Sequence, residues 1–123
     1  MRRFTHISAR TIEEAVLALR RYGNRANIIA GGTDLLGKMK DEILPRYPEA
    51  IIDIKTIPGL DFIKKERGML RIGALTRLED IGREPMIKSK YTALAQAANR
   101  TGSPHLREMG TIGGNICQDI RCW

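Results

Sequence analysis

Aromatic side chains are scarce: two phenylalanines, three tyrosines and one tryptophan make up 5% of 123 residues, leaving few stacking platforms for single-stranded nucleic acid. Cysteine is nearly absent too. Cys117 and Cys122 are the only two, and a closely spaced pair near one end does not make a disulfide framework. No stretch approaches the roughly 20 consecutive apolar residues that cross a bilayer. Met1-Arg2-Arg3-Phe4 is followed by polar residues, where a secretory leader needs an apolar run. These absences exclude the membrane-spanning and secreted classes and predict a reducing, cytoplasmic setting. His6 and His105 lie far apart without the companions of a metal site, so each reads as a surface or hydrogen-bonding histidine. No Ser/His/Asp or Cys/His arrangement can be assembled.

What is present is globular. Hydrophobic residues are 42% and charged residues 28%, enough apolar side chain for a core and too little charge density for a disordered tail. Lysine and arginine outnumber aspartate and glutamate by 21 to 14, a net charge of +7, which admits polyanions such as phosphorylated cofactors as partners. Because the basic residues are scattered, nucleic acid is not expected. The length fits one domain or part of something larger.

Along the chain, Phe4 to Ile7 reads as a strand, and Thr11 and Glu14 have the spacing of a capping box opening a helix. Ile12, Ala15, Val16 and Leu19 form its apolar stripe, Arg20 and Arg21 suit its C-terminal end, and Gly23 closes it. Ala26 to Ala30 is a short buried strand, Leu35, Leu36 and Met39 make one or two helical turns, and Ile51 to Ile54 restores a strand. A βαβ-like unit therefore spans residues 1–55. From residue 56 a second unit is expected. Leu60, Phe62 and Ile63 pair with Met69 to Ile72 across a charged turn at Lys64-Lys65-Glu66-Arg67-Gly68. Thr76 and Glu79 repeat the capping-box spacing, and Tyr91 to Asn99 is an Ala-rich helix. From Thr101 onward, Gly102, Pro104, Gly110, Gly113 and Gly114 read as a loop-forming run with one extended piece at Thr111-Ile112. Asp53 reads as a polar-face residue or turn partner rather than a catalytic one.

Two glycine loops carry the chemistry. In Ala30-Gly31-Gly32-Thr33-Asp34-Leu35 the paired glycines can bring main chain close to a ligand and turn several N–H groups toward one point, which suits a phosphate. The same residues also fit a tight turn with Asp34 or Thr33 as a helix N-cap. Gly110-Thr111-Ile112-Gly113-Gly114-Asn115 repeats this chemistry. A diphosphate held from two directions would use both loops, and two unrelated turns would use neither.

Ala30-Gly31-Gly32-Thr33-Asp34-Leu35, Ile51-Ile52-Asp53-Ile54, Leu70-Arg71-Ile72-Gly73-Ala74-Leu75-Thr76 and Thr111-Ile112-Gly113-Gly114-Asn115, in this order, resemble the flavoprotein subunits of molybdenum hydroxylases, including xanthine and carbon monoxide dehydrogenases. The resemblance implies an α+β fold of the FAD-binding type, with a first small subdomain over 1–55 and an incomplete second one over 56–123. It also implies that Ala30, Gly31, Gly32, Thr33, Asp34 and Leu35 face Thr111, Gly113, Gly114 and Asn115 across the FAD diphosphate, with Thr101 in the flavin pocket. No catalytic side chain is implied, only electron relay through FAD. The implied partners are a molybdopterin-binding large subunit and a 2Fe-2S small subunit.

The tail Asn115-Ile116-Cys117-Gln118-Asp119-Ile120-Arg121-Cys122-Trp123 is similar to the flavin subunit of 4-hydroxybenzoyl-CoA reductase, in which an insertion beginning here carries a 4Fe-4S cluster. Cys122 falls where that insertion's first ligand would be. Four thiolates are needed and this chain has two cysteines, so a cluster is expected only in a longer or assembled protein. Cys117 is expected to be a buried or pocket-lining thiol. Family flavin subunits are more than twice this long, which makes the chain an N-terminal fragment on this reading. The alternative is a truncated, non-catalytic remnant that self-associates through uncovered apolar faces.

Overall fold

The computed structural model describes residues 1–120. Two units emerge, one of residues 1–58 joined by residues 118–120, the other of residues 59–117.

In the first unit, β1 (Thr5–Ser8), β2 (Ala26–Ile29) and β3 (Ala50–Asp53) form a parallel sheet in the order β1-β3-β2. Helix α1 (Ile12–Tyr22) connects β1 to β2, and β3 enters between them, pairing Ile52 with both Ile7 and Ile28. As the central strand, β3 is buried along its whole length, which explains its near-continuous apolar sequence. Leu35 and Met39 of α2 (Leu35–Lys40) pack on Ile51, with Phe4, Ile29, Leu44 and Tyr47 around them.

The Thr11 hydroxyl accepts from the Glu14 N–H at 3.1 Å, as its spacing requires. The Glu14 carboxylate reaches back one residue further than a capping box would, to the Arg10 N–H at 2.7 Å. Gly23 ends α1 at φ +57°. The expected stripe is only half buried: Ala15 is in the core, whereas Ile12 and Val16 are 53% and 38% exposed. A three-stranded sheet is too narrow to cover the whole face of this helix.

In the second unit, β4 (Ile63–Glu66) and β5 (Met69–Ile72) form an antiparallel hairpin, followed by α3 (Leu78–Arg83), α4 (Pro85–Lys90), α5 (Thr92–Arg100), α6 (Pro104–Met109) and α7 (Ile112–Ile116). Its core is Ile81, Ile87, Ala95 and Ala98, lined by Ile63, Leu70, Ile72, Tyr91, Leu94 and Ile112. Lys64, Lys65 and Glu66 belong to β4 rather than to the turn. The turn is only Arg67-Gly68, both at positive φ (+50° and +77°), a two-residue connection whose twist suits a hairpin.

Two further expectations need correction, and one helix was not foreseen. Thr76 does not cap α3. Its buried hydroxyl instead donates to the Phe62 carbonyl at 3.0 Å and accepts the Phe62 N–H at 3.2 Å. Pro85 opens α4 at its first turn, a position where a missing N–H costs nothing. The run after Thr101 is two short helices, not a loop, because Ser103 and Thr111 each cap one: Ser103 accepts from the Leu106 N–H and Thr111 from the Gly114 N–H. The extended character survives at Thr111 itself, which bridges Arg77.

Candidate functional site

The first glycine turn follows β2 and precedes α2. Gly32 has φ +76°, a conformation that side chains rarely adopt, and a Cβ there would stand 3.0 Å from Leu36 Cδ1 and 3.3 Å from Ile29 Cδ1. Its carbonyl accepts from the Leu36 N–H at 3.1 Å. The N–H groups of Gly31, Gly32 and Thr33 have no protein acceptor among the described residues. These three consecutive donors on a partly open turn fit an anionic oxygen. Thr33 is exposed, Ala30 is half-buried, and Leu35 is turned into the core, so its side chain supports the turn from behind.

Asp34 occupies the residue before α2, yet its side chain makes no cap bond. Its Oδ2 lies 2.8 Å from Lys38 Nζ, and Asp119 Oδ2 lies 2.6 Å from the same nitrogen. Lys38 was invisible to periodicity, since a lysine on a short amphipathic helix normally faces water; here it is 8% exposed. Burial works to lower its pKa, but hydrogen bonds to Asp119 and Asp34 outweigh that and hold it above the ordinary lysine value.

The second glycine pair has a different geometry. Gly113 and Gly114 lie in the first turn of α7, and their amides are already committed. Ile112 N–H donates to Thr76 O at 2.9 Å, Gly113 N–H to Ala74 O at 2.9 Å, Asn115 N–H to Thr111 O at 2.9 Å, and Gly114 N–H to the Thr111 hydroxyl at 3.2 Å. The expected nest of free donors is therefore absent here: the Thr111 cap turns these amides inward. Gly113 is required by packing, since a Cβ would sit 2.9 Å from Ala74 O. Gly114 is exposed, and a Cβ there would meet only Thr111 Oγ1, at 3.1 Å. What this segment offers is a bare backbone surface and the half-buried Asn115.

Thr101 caps the end of α5, where its hydroxyl donates to Ala97 O at 2.9 Å. The turn it begins is held by Arg107, which reaches the Thr101 and Gly102 carbonyls at 3.4 and 3.2 Å and the Glu79 carboxylate at 3.2 Å. Glu79 also pairs with Arg83 at 2.8 Å. Cys117 is exposed, contrary to the expectation of a buried thiol, because it follows the last turn of a five-residue helix. Cys122 lies outside the described residues. Among the described residues no cluster of three potential metal ligands occurs, and no helix is long and apolar enough to cross a membrane.

Asp53, at the end of β3, is 8% exposed and accepts from the Lys55 N–H at 2.9 Å and Lys55 Nζ at 2.8 Å, with His6 Nε2 at 3.5 Å. Burial raises its pKa, but hydrogen bonds from Lys55 and the charges of Lys55 and His6 win, leaving it below the ordinary aspartate value. A carboxyl depressed in the folded state stabilises above its unfolded pKa, about 3.9, and loses that contribution as pH falls through the folded value. The melting-temperature advantage of the wild type over Asp53→Asn is accordingly expected to shrink as the pH is lowered from 6 to 3. A gap unchanged across that range would show that the ionised carboxylate is not what stabilises.

Residues 2–121 match the family described as FAD binding domain in molybdopterin dehydrogenase. The chain is 40% identical over 117 residues to the nicotinate dehydrogenase FAD-subunit of Eubacterium barkeri, covering 94% of this chain and 39% of that one. It is 38% identical over 114 residues to the carbon monoxide dehydrogenase medium chain of Hydrogenophaga pseudoflava, covering 93% of this chain and 39% of that one. A solved structure of carbon monoxide dehydrogenase from Hydrogenophaga pseudoflava lacking the Mo-pyranopterin moiety of its cofactor superposes with a TM-score of 0.88 at 37% identity, over 94% of this chain and 39% of that one. The chain thus spans about two fifths of the length of these relatives.

Proposed function

Because the chain belongs to the family of FAD binding domains in molybdopterin dehydrogenases, we propose that its role is to hold the diphosphate of FAD as the electron-transfer component of a multi-subunit molybdenum-containing oxidoreductase. FAD is the cofactor of that family. The observation that carries the assignment to this site is the turn at 31–33, with three N–H donors lacking a protein acceptor among the described residues and a glycine at positive φ. When bound, FAD supplies the redox chemistry of its isoalloxazine ring. The chain's own residues bind and orient. The amides of Gly31, Gly32 and Thr33 and the Thr33 hydroxyl donate to phosphate oxygens. Gly114, lacking a side chain, admits the cofactor close to the main chain, with Asn115 beside it and Thr111 fixing α7. Thr101 lines the pocket through the turn that Arg107 holds.

The subdomain division at residues 55 and 56 belongs to the same reading. So do a molybdopterin-binding large subunit and a 2Fe-2S small subunit as partners, which accords with relatives named as a medium chain and an FAD-subunit. Within the family, the sequence Gln118-Asp119-Ile120-Arg121-Cys122-Trp123 supports the 4-hydroxybenzoyl-CoA reductase branch, in which Cys122 would ligate a 4Fe-4S cluster together with cysteines from outside this chain. The remnant reading is favoured by one feature, the exposed apolar side chains of Ile12, Val16 and Leu17 on α1.

Titrating the chain with FAD while following flavin fluorescence tests the assignment. Saturable binding weaker than about 1 μM, a free energy smaller than about 8 kcal/mol, is expected, since a diphosphate grip without burial of the flavin ring supplies only part of the affinity. No binding at millimolar FAD, together with flavin-independent dimers on size exclusion, would favour the remnant.

A further inference from the structure

An ionic cluster just beyond the 31–33 turn surrounds Lys38. Its side chain is 10% exposed, and its ammonium meets two carboxylates that differ in origin. Asp34 lies one helical turn earlier, at 21% exposure. Asp119 arrives from 81 residues away, at 67% exposure. A desolvated ammonium needs a partner, and Asp34 would by itself supply one. The second carboxylate is therefore not demanded by the lysine.

The dependence runs the other way. Residues 118–120 are grouped with the first unit, although Ile120 is 97% exposed and buries nothing. Among the described residues, the bond from Lys38 to Asp119 is the sole hydrogen bond or ion pair made by this segment. Lys38 is anchored by its position on α2 and by Asp34, so it is the fixed half of the contact. The Lys38 side chain is 10% exposed and Asp119 67%, so the lysine's half of the bond is screened less by solvent and salt than an exposed cation would be.

We propose that Lys38 is an ionic latch: a positioning residue, pre-oriented by Asp34, that captures the Asp119 carboxylate and so fixes residues 118–120 on the first unit. The latch does not depend on whether the turn at 31–33 takes FAD.

Backbone 15N relaxation of the full 123-residue chain tests it. In the wild type, Asp119 is expected to have an order parameter near the rigid value of about 0.85, and in Lys38→Met and Asp119→Asn to drop below about 0.6. Residues of β3 act as the internal control and stay rigid in every variant. Lys38→Arg, which keeps a cation in place, is expected to retain the order. Should Lys38→Met fail to fold, Asp119→Asn probes the same bond from its exposed side. The latch is overturned if Asp119 is already mobile in the wild type, or if it remains ordered when the carboxylate is removed. A loosened 118–120 segment with unchanged FAD titration would leave the latch standing and separate it from the cradle.

Discussion

Gly73→Ala is expected to unfold the second unit at temperatures where the wild type is intact. Gly73 is buried just after β5. Its N–H donates to Phe62 O at 2.8 Å, its carbonyl accepts from Thr76 N–H at 3.0 Å, and Leu75 N–H donates to Leu60 O at 2.8 Å. The Leu60 segment is thereby laced against it on both sides. A Cβ on Gly73 would collide with the Leu60 carbonyl oxygen, stand 2.6 Å from the Leu60 carbonyl carbon and 2.9 Å from Phe62 Cδ1. Backbone pinned by these hydrogen bonds cannot rotate aside as a side-chain tip can, so the methyl group breaks the lacing. A loss of about 3 kcal/mol is expected, at the upper end of the usual cost of overpacking. For a unit of this size that corresponds to a fall in melting temperature of at least about 10 °C. Gly68→Ala is the control. Gly68 has φ +77° but nothing within 4 Å of the methyl that alanine would add, so only backbone strain of about 1 kcal/mol is expected. Equal melting temperatures for Gly73→Ala and Gly68→Ala would show that the close approach to Leu60 is not rigid.

Gly32→Val is the second large effect, and it is read in ligand affinity. Valine at φ +76° is strained, and its side chain would press on Leu36 and Ile29. The turn must then open, which displaces the amides of Gly31, Gly32 and Thr33 from their present positions. Removing several donors to a phosphate should weaken FAD binding by at least about 100-fold, given about 1.5–3 kcal/mol for each hydrogen bond to a charged group. Gly114→Ala is expected to do less, because among the described residues Thr111 Oγ1 is the one atom outside the adjoining backbone that its added methyl would crowd, and no donor is lost. Retention of wild-type FAD affinity by a folded Gly32→Val chain would remove the 31–33 turn from the cradle.

Much of the architecture was legible because it follows from local rules. The Thr11 to Glu14 spacing marks a helix start, and the apolar run Ala50-Ile51-Ile52 marks a strand covered on both faces. Gly23 marks a helix end. Reading failed where one residue type serves two purposes. Lys64 and Lys65 look like a solvated turn, yet an edge strand tolerates the same charges, and their partners Arg71 and Leu70 lie across the hairpin. Gly113 and Gly114 look like loop residues, yet Thr111 supplies a cap that puts both in a helix, and Ala74 stands so close to Gly113 that only glycine fits at that position. Thr76 has the spacing of a cap, and its hydroxyl goes instead to a segment fourteen residues earlier.

For the site itself, the motif residues and the flavin family were readable from sequence, because glycines flanked by strand and helix signals are a one-dimensional pattern. Which amides are free was not. That depends on acceptors brought from elsewhere in the chain, Ala74 and Thr76 for the second glycine segment and none among the described residues for the first. Lys38 shows the same division. Its place on α2 follows from local sequence, but its hold on Asp119 exists only once a residue 81 positions later has been brought to it in space. Local sequence determined where helices start, where strands run and where main chain can bend; the tertiary structure decided which polar groups are spent on the protein and which are left for a ligand, because hydrogen-bond satisfaction is a property of neighbours in space.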